Sequence, residues 1–186
     1  ADLFDRLFAG QGGASTARHH DVPWGALHLV ILDSETADLG DPDGAEAAFA
    51  EAALQRAIDG DRIPILAFHR PTWTLSRHVP GDTTVRDVVQ GLARRFGVPL
   101  VMCGHTHGYE RFAVDGVMYV VDGGGGALLY DLDEGIEEAE RLRPGESERR
   151  IVADPSMGGC LIERSDDGIT VTRIDIDGNE TDRFTL

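Results

Sequence analysis

The sequence predicts an α/β domain, half of a layered sandwich in which a mixed sheet is followed by a second, mostly antiparallel one. Apolar runs of strand length at residues 26–33, 63–69 and 98–103 alternate with segments whose apolar residues recur at helical spacing. Beyond residue 109 the pattern changes to short alternating runs joined by Asp115-Gly116, Asp167-Gly168 and Asp177-Gly178, dipeptides that favour tight hairpin turns. No repeat or linker interrupts it, so residues 1–186 read as one domain.

Leu3, Phe4, Leu7 and Phe8 give residues 1–9 the spacing of a short amphipathic helix, stopped by Gly10. Residues 11–21 read as a loop whose His19, His20 and Asp21 are solvated, since adjacent loop side chains rarely face one metal. The run 26–33 is a buried strand with His28 as a satisfied core residue, and Asp33-Ser34-Glu35 is the turn that closes it. Asp41-Pro42-Asp43 opens a helix that presents Ala45, Phe49, Ala53 and Ala57 on one face and ends at Gly60. Residues 63–69 form the next strand, broken by Arg70-Pro71 directly after His69. An irregular loop with Trp73 and His78 follows, then a helix capped by Asp82 or Thr83, carrying Val85, Val88, Val89 and Leu92 and stopped by Gly97.

After the strand 98–103, residues 110–114 and 117–122 make a hairpin about Asp115-Gly116, and Gly123 to Gly126 follow. That glycine run has no lysine and no following Ser or Thr, so it is no Walker loop and reads as a close-packed turn. Residues 131–142 are acidic and weakly helical, and residues 143–150 read as a charged surface excursion. Residues 158–165, 169–176 and 180–186 then close the fold as an antiparallel meander.

A formal net charge of −16 argues against a nucleic-acid partner or an anionic membrane surface. All 17 basic residues are arginine, which excludes lysine Schiff-base and P-loop chemistry. Two cysteines, Cys103 and Cys160, are too few for a disulfide framework. Arg111 stands too far from Cys103 for a cysteine phosphatase, and no Gly-x-Ser-x-Gly elbow supports a serine hydrolase. The chain opens at Ala1 with its first methionine at Met102, so further sequence is expected upstream.

Chemistry concentrates in Gly104-His105-Thr106-His107-Gly108-Tyr109-Glu110-Arg111. On extended backbone, residues two apart point the same way, so His105 and His107 can converge on one centre while the glycines let the chain bend around it. Histidine is the commonest metal ligand, and His69 ends a second strand.

This stretch resembles the Gly-His-x-His-x-Tyr-Glu-Arg motif of calcineurin-like metallophosphoesterases, and among them the purple acid phosphatase branch. The resemblance implies a four-layer αββα sandwich, of which this chain is the C-terminal half, and two metal ions (iron, zinc or manganese) that hydrolyse small phosphate esters through a metal-bound hydroxide. It implies His105 on one metal, His107 on the other, and His69 sharing the metal of His105. His78 stands where purple acid phosphatases carry histidines that contact the phosphate and protonate the leaving group. Some relatives have two adjacent histidines there and this chain has His78-Val79, so His78 is either catalytic or merely exposed. The glycine run would line the site, and a secreted or periplasmic location is expected on resemblance alone.

The family's Asp-x-His, Gly-Asp-x-x-Asp and Gly-Asn-His-Asp motifs do not occur here. Three neutral imidazoles do not supply the negative charge that holds two dications together, so the missing N-terminal half of the domain is the expected partner. The chain by itself is then expected to be weak or inactive. The rival expectation is a non-catalytic metal-binding or interaction module using His69, His105 and His107.

Overall fold

The structure is a computed structural model that describes residues 18–35, 39–78 and 81–186; the helix expected at 1–9 lies outside them. Its strands fall into a seven-stranded mixed sheet and a separate three-stranded antiparallel sheet, as the sequence pattern predicts. The chain divides into two compact units, one of residues 1–69 and 83–101, the other of residues 70–82 and 102–186.

In the first unit, β1 (His20–Trp24) runs antiparallel to β2 (Leu27–Ile31), and β2 runs parallel to β3 (Ile63–Phe68), with Leu27 opposite Ile63. Next to β3 lies β4 (Leu100–Cys103), whose first two residues belong to this unit, so the two strands that lead to the histidines are neighbours as expected. The expected loop at 11–21 ends early, because His20 and Asp21 already pair with Ile31 and Val30. Nor is Asp21 solvated: it is buried and accepts hydrogen bonds from His28 Nε2 at 2.7 Å and Arg56 Nη2 at 2.7 Å, so the core histidine is satisfied at Nε2 but not at its buried Nδ1. His19 stacks on Phe49 at 4.1 Å and hydrogen-bonds Glu46 at 2.5 Å.

Helix α1 (Ala45–Asp59) packs on β2, β3 and the second helix, α2 (Thr83–Phe96). Its buried face is Ala47, Ala50, Ala53, Leu54 and Ala57; Ala45 is exposed and Phe49 is drawn to the flank by His19, which rotates the face from the one expected. Small residues on that face let the helix approach the sheet closely. Helix α2 buries Val85, Val89, Leu92, Ala93 and Phe96, and Gly97 ends it at φ +62°, the left-handed stop its sequence signals.

In the second unit, β5 (Tyr109–Val114) and β6 (Val117–Asp122) form the expected hairpin, with Asp115 and Gly116 at φ +51° and +83°. Both turn residues therefore take the left-handed conformation of the tight hairpin turns that match strand twist. The acidic stretch is helical only in α3 (Ile136–Leu142), and the charged excursion ends in a strand not foreseen, β7 (Arg150–Asp154), which pairs with β5. Strands β8 (Gly158–Ser165), β9 (Gly168–Asp175) and β10 (Glu180–Thr185) make the predicted meander. Tyr109, Phe112, Tyr119, Val120, Ile169 and Val171 are buried in this unit, together with Arg173, whose guanidinium donates to the carbonyls of Ile174 at 2.6 Å and Ser156 at 3.0 Å.

Candidate active site

Four of the residues singled out by sequence are histidines, and the second unit holds His78, His105 and His107. His69, in the first unit, follows directly on β3 and is exposed.

Beyond β4 the chain does not stay extended. His105 takes φ +65°, and Thr106 N donates to the Gly104 carbonyl at 2.7 Å, so the pair sits in a tight turn. Alternation along a strand therefore does not set the directions of His105 and His107, contrary to the expectation from spacing. A non-glycine residue in left-handed backbone costs on the order of 1 kcal/mol and persists where its surroundings hold it. Here the surroundings are close: Thr106 is fully buried, and a Cβ on Gly123 would lie 2.2 Å from its carbonyl oxygen. Gly124 is also tight, a Cβ there lying 2.8 Å from Ser156 O, whereas Gly125 and Gly126 are open, so only the first half of the glycine run is a close-packed turn.

His107 is clasped by the segment that follows the glycines. Its Nδ1 donates to Leu128 O at 2.8 Å, its carbonyl accepts from Tyr130 N at 2.8 Å, and its ring stacks on Tyr130 at 4.2 Å. With Nδ1 donating, the neutral ring carries its lone pair on Nε2.

His78 reaches the same place from a buried segment, Thr72 to Ser76. Thr74 Oγ1 donates to Glu110 Oε2 at 2.5 Å, Leu75 N to Glu110 Oε1 at 3.0 Å, and Leu75 O accepts from Gly135 N at 2.8 Å. Arg150 completes the anchor, 3.2 Å from Glu110 and 2.7 Å from Leu132 O, with a further ion pair to Asp133. Thus held, the His78 ring tilts against His105 at 4.6 Å and Tyr130 at 5.3 Å, and its buried Nε2 makes no hydrogen bond. Burial first, then the charges of Arg77, His107 and Arg70, hold His78 below the ordinary histidine range, with Glu134 opposing them.

The rest of the motif is a brace. Asp182 on β10 accepts from Tyr109 Oη at 2.7 Å and from Arg111 Nε and Nη2 at 2.6 and 2.9 Å, and is itself nearly buried. Burial pushes the Asp182 carboxyl up, but the Arg111 and Tyr109 hydrogen bonds outweigh it and hold it below the usual carboxylate range. At Glu110 burial prevails and pushes the carboxyl above the glutamate range, despite its hydrogen bonds to Thr74, Leu75 and Arg150. Burial also lifts the Cys103 thiol far above its ordinary range, so it offers no nucleophile.

The motif includes Glu110 but gives it no role, and Tyr130, Arg77, Leu128 and Arg150 lie outside it. Adjacent charges inside an apolar strand, Glu110-Arg111, are the signal that a buried partner must exist for each. Nothing in the local pattern around Tyr130 carries a comparable signal.

A metal centre is met by single donors, not by a complete set. His107 Nε2 is free of its own hydrogen-bonding duty, and the Leu128 carbonyl on Nδ1 is the kind of outer partner that orients a ligating imidazole. Among the described residues no group of three or more His, Cys, Asp or Glu side chains is placed to hold an ion.

No family model matches the chain. Over 116 residues it is 28% identical to tartrate-resistant acid phosphatase type 5 of Oryctolagus cuniculus, a match covering 61% of this chain and 34% of that protein. Among solved structures, GAP50, described as the anchor in the inner membrane complex of Plasmodium, aligns at a TM-score of 0.65 with 14% identity, over 90% of this chain and 52% of GAP50. At that score and identity the likeness is one of fold alone. Wild-type Vps29 of Entamoeba histolytica, solved with Zn2+, aligns at a TM-score of 0.40 with 14% identity, over 90% of this chain and 60% of Vps29. The matched part thus spans about a third of the acid phosphatase and about half of GAP50.

Proposed function

We propose that this chain is the histidine-bearing part of a metal-dependent phosphoesterase of the purple acid phosphatase type, acting on small phosphate esters. The observation that carries the reading is the contact of His78 with His105 at 4.6 Å, which brings the candidate for leaving-group chemistry beside a candidate metal ligand. The partial similarity to an acid phosphatase agrees with it.

His69, His105 and His107 would supply imidazole ligands, and the carboxylates that a pair of dications needs would come from sequence beyond these 186 residues. The metals, when bound, supply charge neutralisation at phosphorus and an activated hydroxide. His78, unengaged at Nε2, holds or delivers a proton at the leaving oxygen. Glu110, through Thr74 and Leu75, fixes the segment from which His78 reaches that oxygen.

The test is p-nitrophenyl phosphate hydrolysis with added zinc, iron or manganese, comparing this chain with a form extended upstream. Turnover is expected from the longer form and little from the chain alone, and His78→Ala in the longer form should lower kcat while leaving bound metal unchanged. Equal metal-dependent turnover by both forms would overturn the incomplete-ligand reading. No turnover by either would favour the second reading, a non-catalytic metal-binding or interaction module.

A further inference from the structure

Beside the histidines lies a cation that the proposed chemistry does not use. The Arg77 guanidinium sits 3.9 Å over the ring of Tyr130, and His107 stacks on that ring at 4.2 Å. Two groups stacked that closely cannot share one face of a phenol, so Arg77 and His107 bracket Tyr130. His78 touches the same ring at 5.3 Å, which makes Arg77 contiguous with the histidine group.

Arg77 is exposed and has no carboxylate partner among the described residues, in a chain with 33 acidic residues and 17 basic ones. Cation–π contact occupies the guanidinium face and leaves its in-plane N–H edge available. That edge matches an oxyanion through two parallel hydrogen bonds, and the aromatic platform fixes its orientation beforehand. Arg77 and Arg70 both bear on His78 with positive charge, opposed by Glu134.

We propose that Arg77, held over the Tyr130 ring, is a phosphate-binding subsite one aromatic ring away from His107, and that it takes a second phosphate group carried on the leaving part of the substrate. The substrate role rests on the phosphoesterase reading; the anion site does not, because it needs no metal and no turnover. Such a site favours bisphosphorylated substrates over simple monoesters.

The test is a titration of the 15N-labelled, metal-free 186-residue chain with inorganic phosphate, followed by NMR of the arginine Nε–H and histidine ring signals. A saturable shift of Arg77 with accompanying shifts of His78 and His107 is expected. Arg77→Gln should weaken binding about tenfold or more, the loss of a charge-assisted pair of hydrogen bonds. Tyr130→Ala, which removes the platform, should weaken it severalfold, while Arg164→Gln, at an exposed position on β8, should leave it unchanged. Unaltered affinity in Arg77→Gln, no saturable shift at Arg77, or acetate binding as tightly as phosphate would each overturn the proposal. Loss of metal-dependent turnover in the longer form would count against the phosphoesterase reading and leave the Arg77 titration standing.

Discussion

Thr74 donates a 2.5 Å hydrogen bond to Glu110, and through it the second half of the histidine motif holds the segment that ends in His78. Glu110 is fully buried, accepts from Leu75 N as well and pairs with Arg150. Glu110→Ala leaves those donors and the Arg150 charge uncompensated, and removing one partner of a buried pair costs about 3–5 kcal/mol. An unfolding free energy lowered by that much in urea titration is expected, with loss of the His78 ring contact in NMR. Glu110→Gln keeps one acceptor and should cost less. A Glu110→Ala change within about 0.5 kcal/mol, as at an ordinary surface site, would remove the anchor from the account.

Asp182 gives a pH dependence of definite sign. Its folded pKa lies below the unfolded value because the Arg111 and Tyr109 hydrogen bonds outweigh the effect of burial. Its stabilisation is therefore present above the unfolded pKa, about 4, and is lost as pH falls through the lower folded value. Asp182→Asn should be less stable than wild type at pH 7 and should converge with it in acid. Urea stability measured from pH 7 down to acid checks this; parallel curves would mean that the ion pair carries no linkage.

The elements were legible where one rule decided them. Asp115-Gly116 and the turns of the final meander specified their hairpins, and Gly97 stopped α2 where its left-handed φ allows. Strand β7 was hidden because it begins with Arg150, a charge that looks like surface until Glu110 and the Leu132 carbonyl are seen to hold it. Phe49 misdirected the reading of α1, since its ring is used by His19 at the helix flank. At the site, the histidines stood out by type and position, but the turn at His105 replaced the extended backbone assumed for them. Tyr130 joins His107 from 23 positions along the chain, and its nearest hydrogen-bonding neighbour, Leu128, acts through a backbone carbonyl that any residue supplies.

Gly123 shows how closely that turn is packed. A methyl group there would come 2.2 Å from the Thr106 carbonyl oxygen, a backbone atom that cannot swing aside as a side chain can. Gly123→Ala should therefore lower stability by about 1–3 kcal/mol, the usual cost of overpacking, and move the ring signals of both His105 and His107. Gly125→Ala, where nothing lies within 4 Å, is the matched control and should do neither. Equal melting temperatures for the two variants would contradict the close approach.

The ligand assignment can be read one atom at a time. The Leu128 carbonyl accepts from His107 Nδ1 at 2.8 Å, so the neutral ring is protonated there and its Nε2 carries the lone pair a metal requires. Ring 15N shifts of the metal-free chain should show Nδ1 protonated and Nε2 bare at pH above the histidine range. Added zinc should then move Nε2 of His107 and leave its Nδ1 proton in place, since the Leu128 hydrogen bond is compatible with coordination. Binding by the chain should be weak, because structural or catalytic zinc takes three or four protein ligands and no such group is assembled among the described residues. In a form extended upstream, replacing His69, His105 and His107 with alanine together should abolish bound metal in elemental analysis. Unchanged metal in that triple variant would show that these histidines serve the fold and not the ion, and a zinc response at Nδ1 in place of Nε2 would overturn the atom assigned to His107.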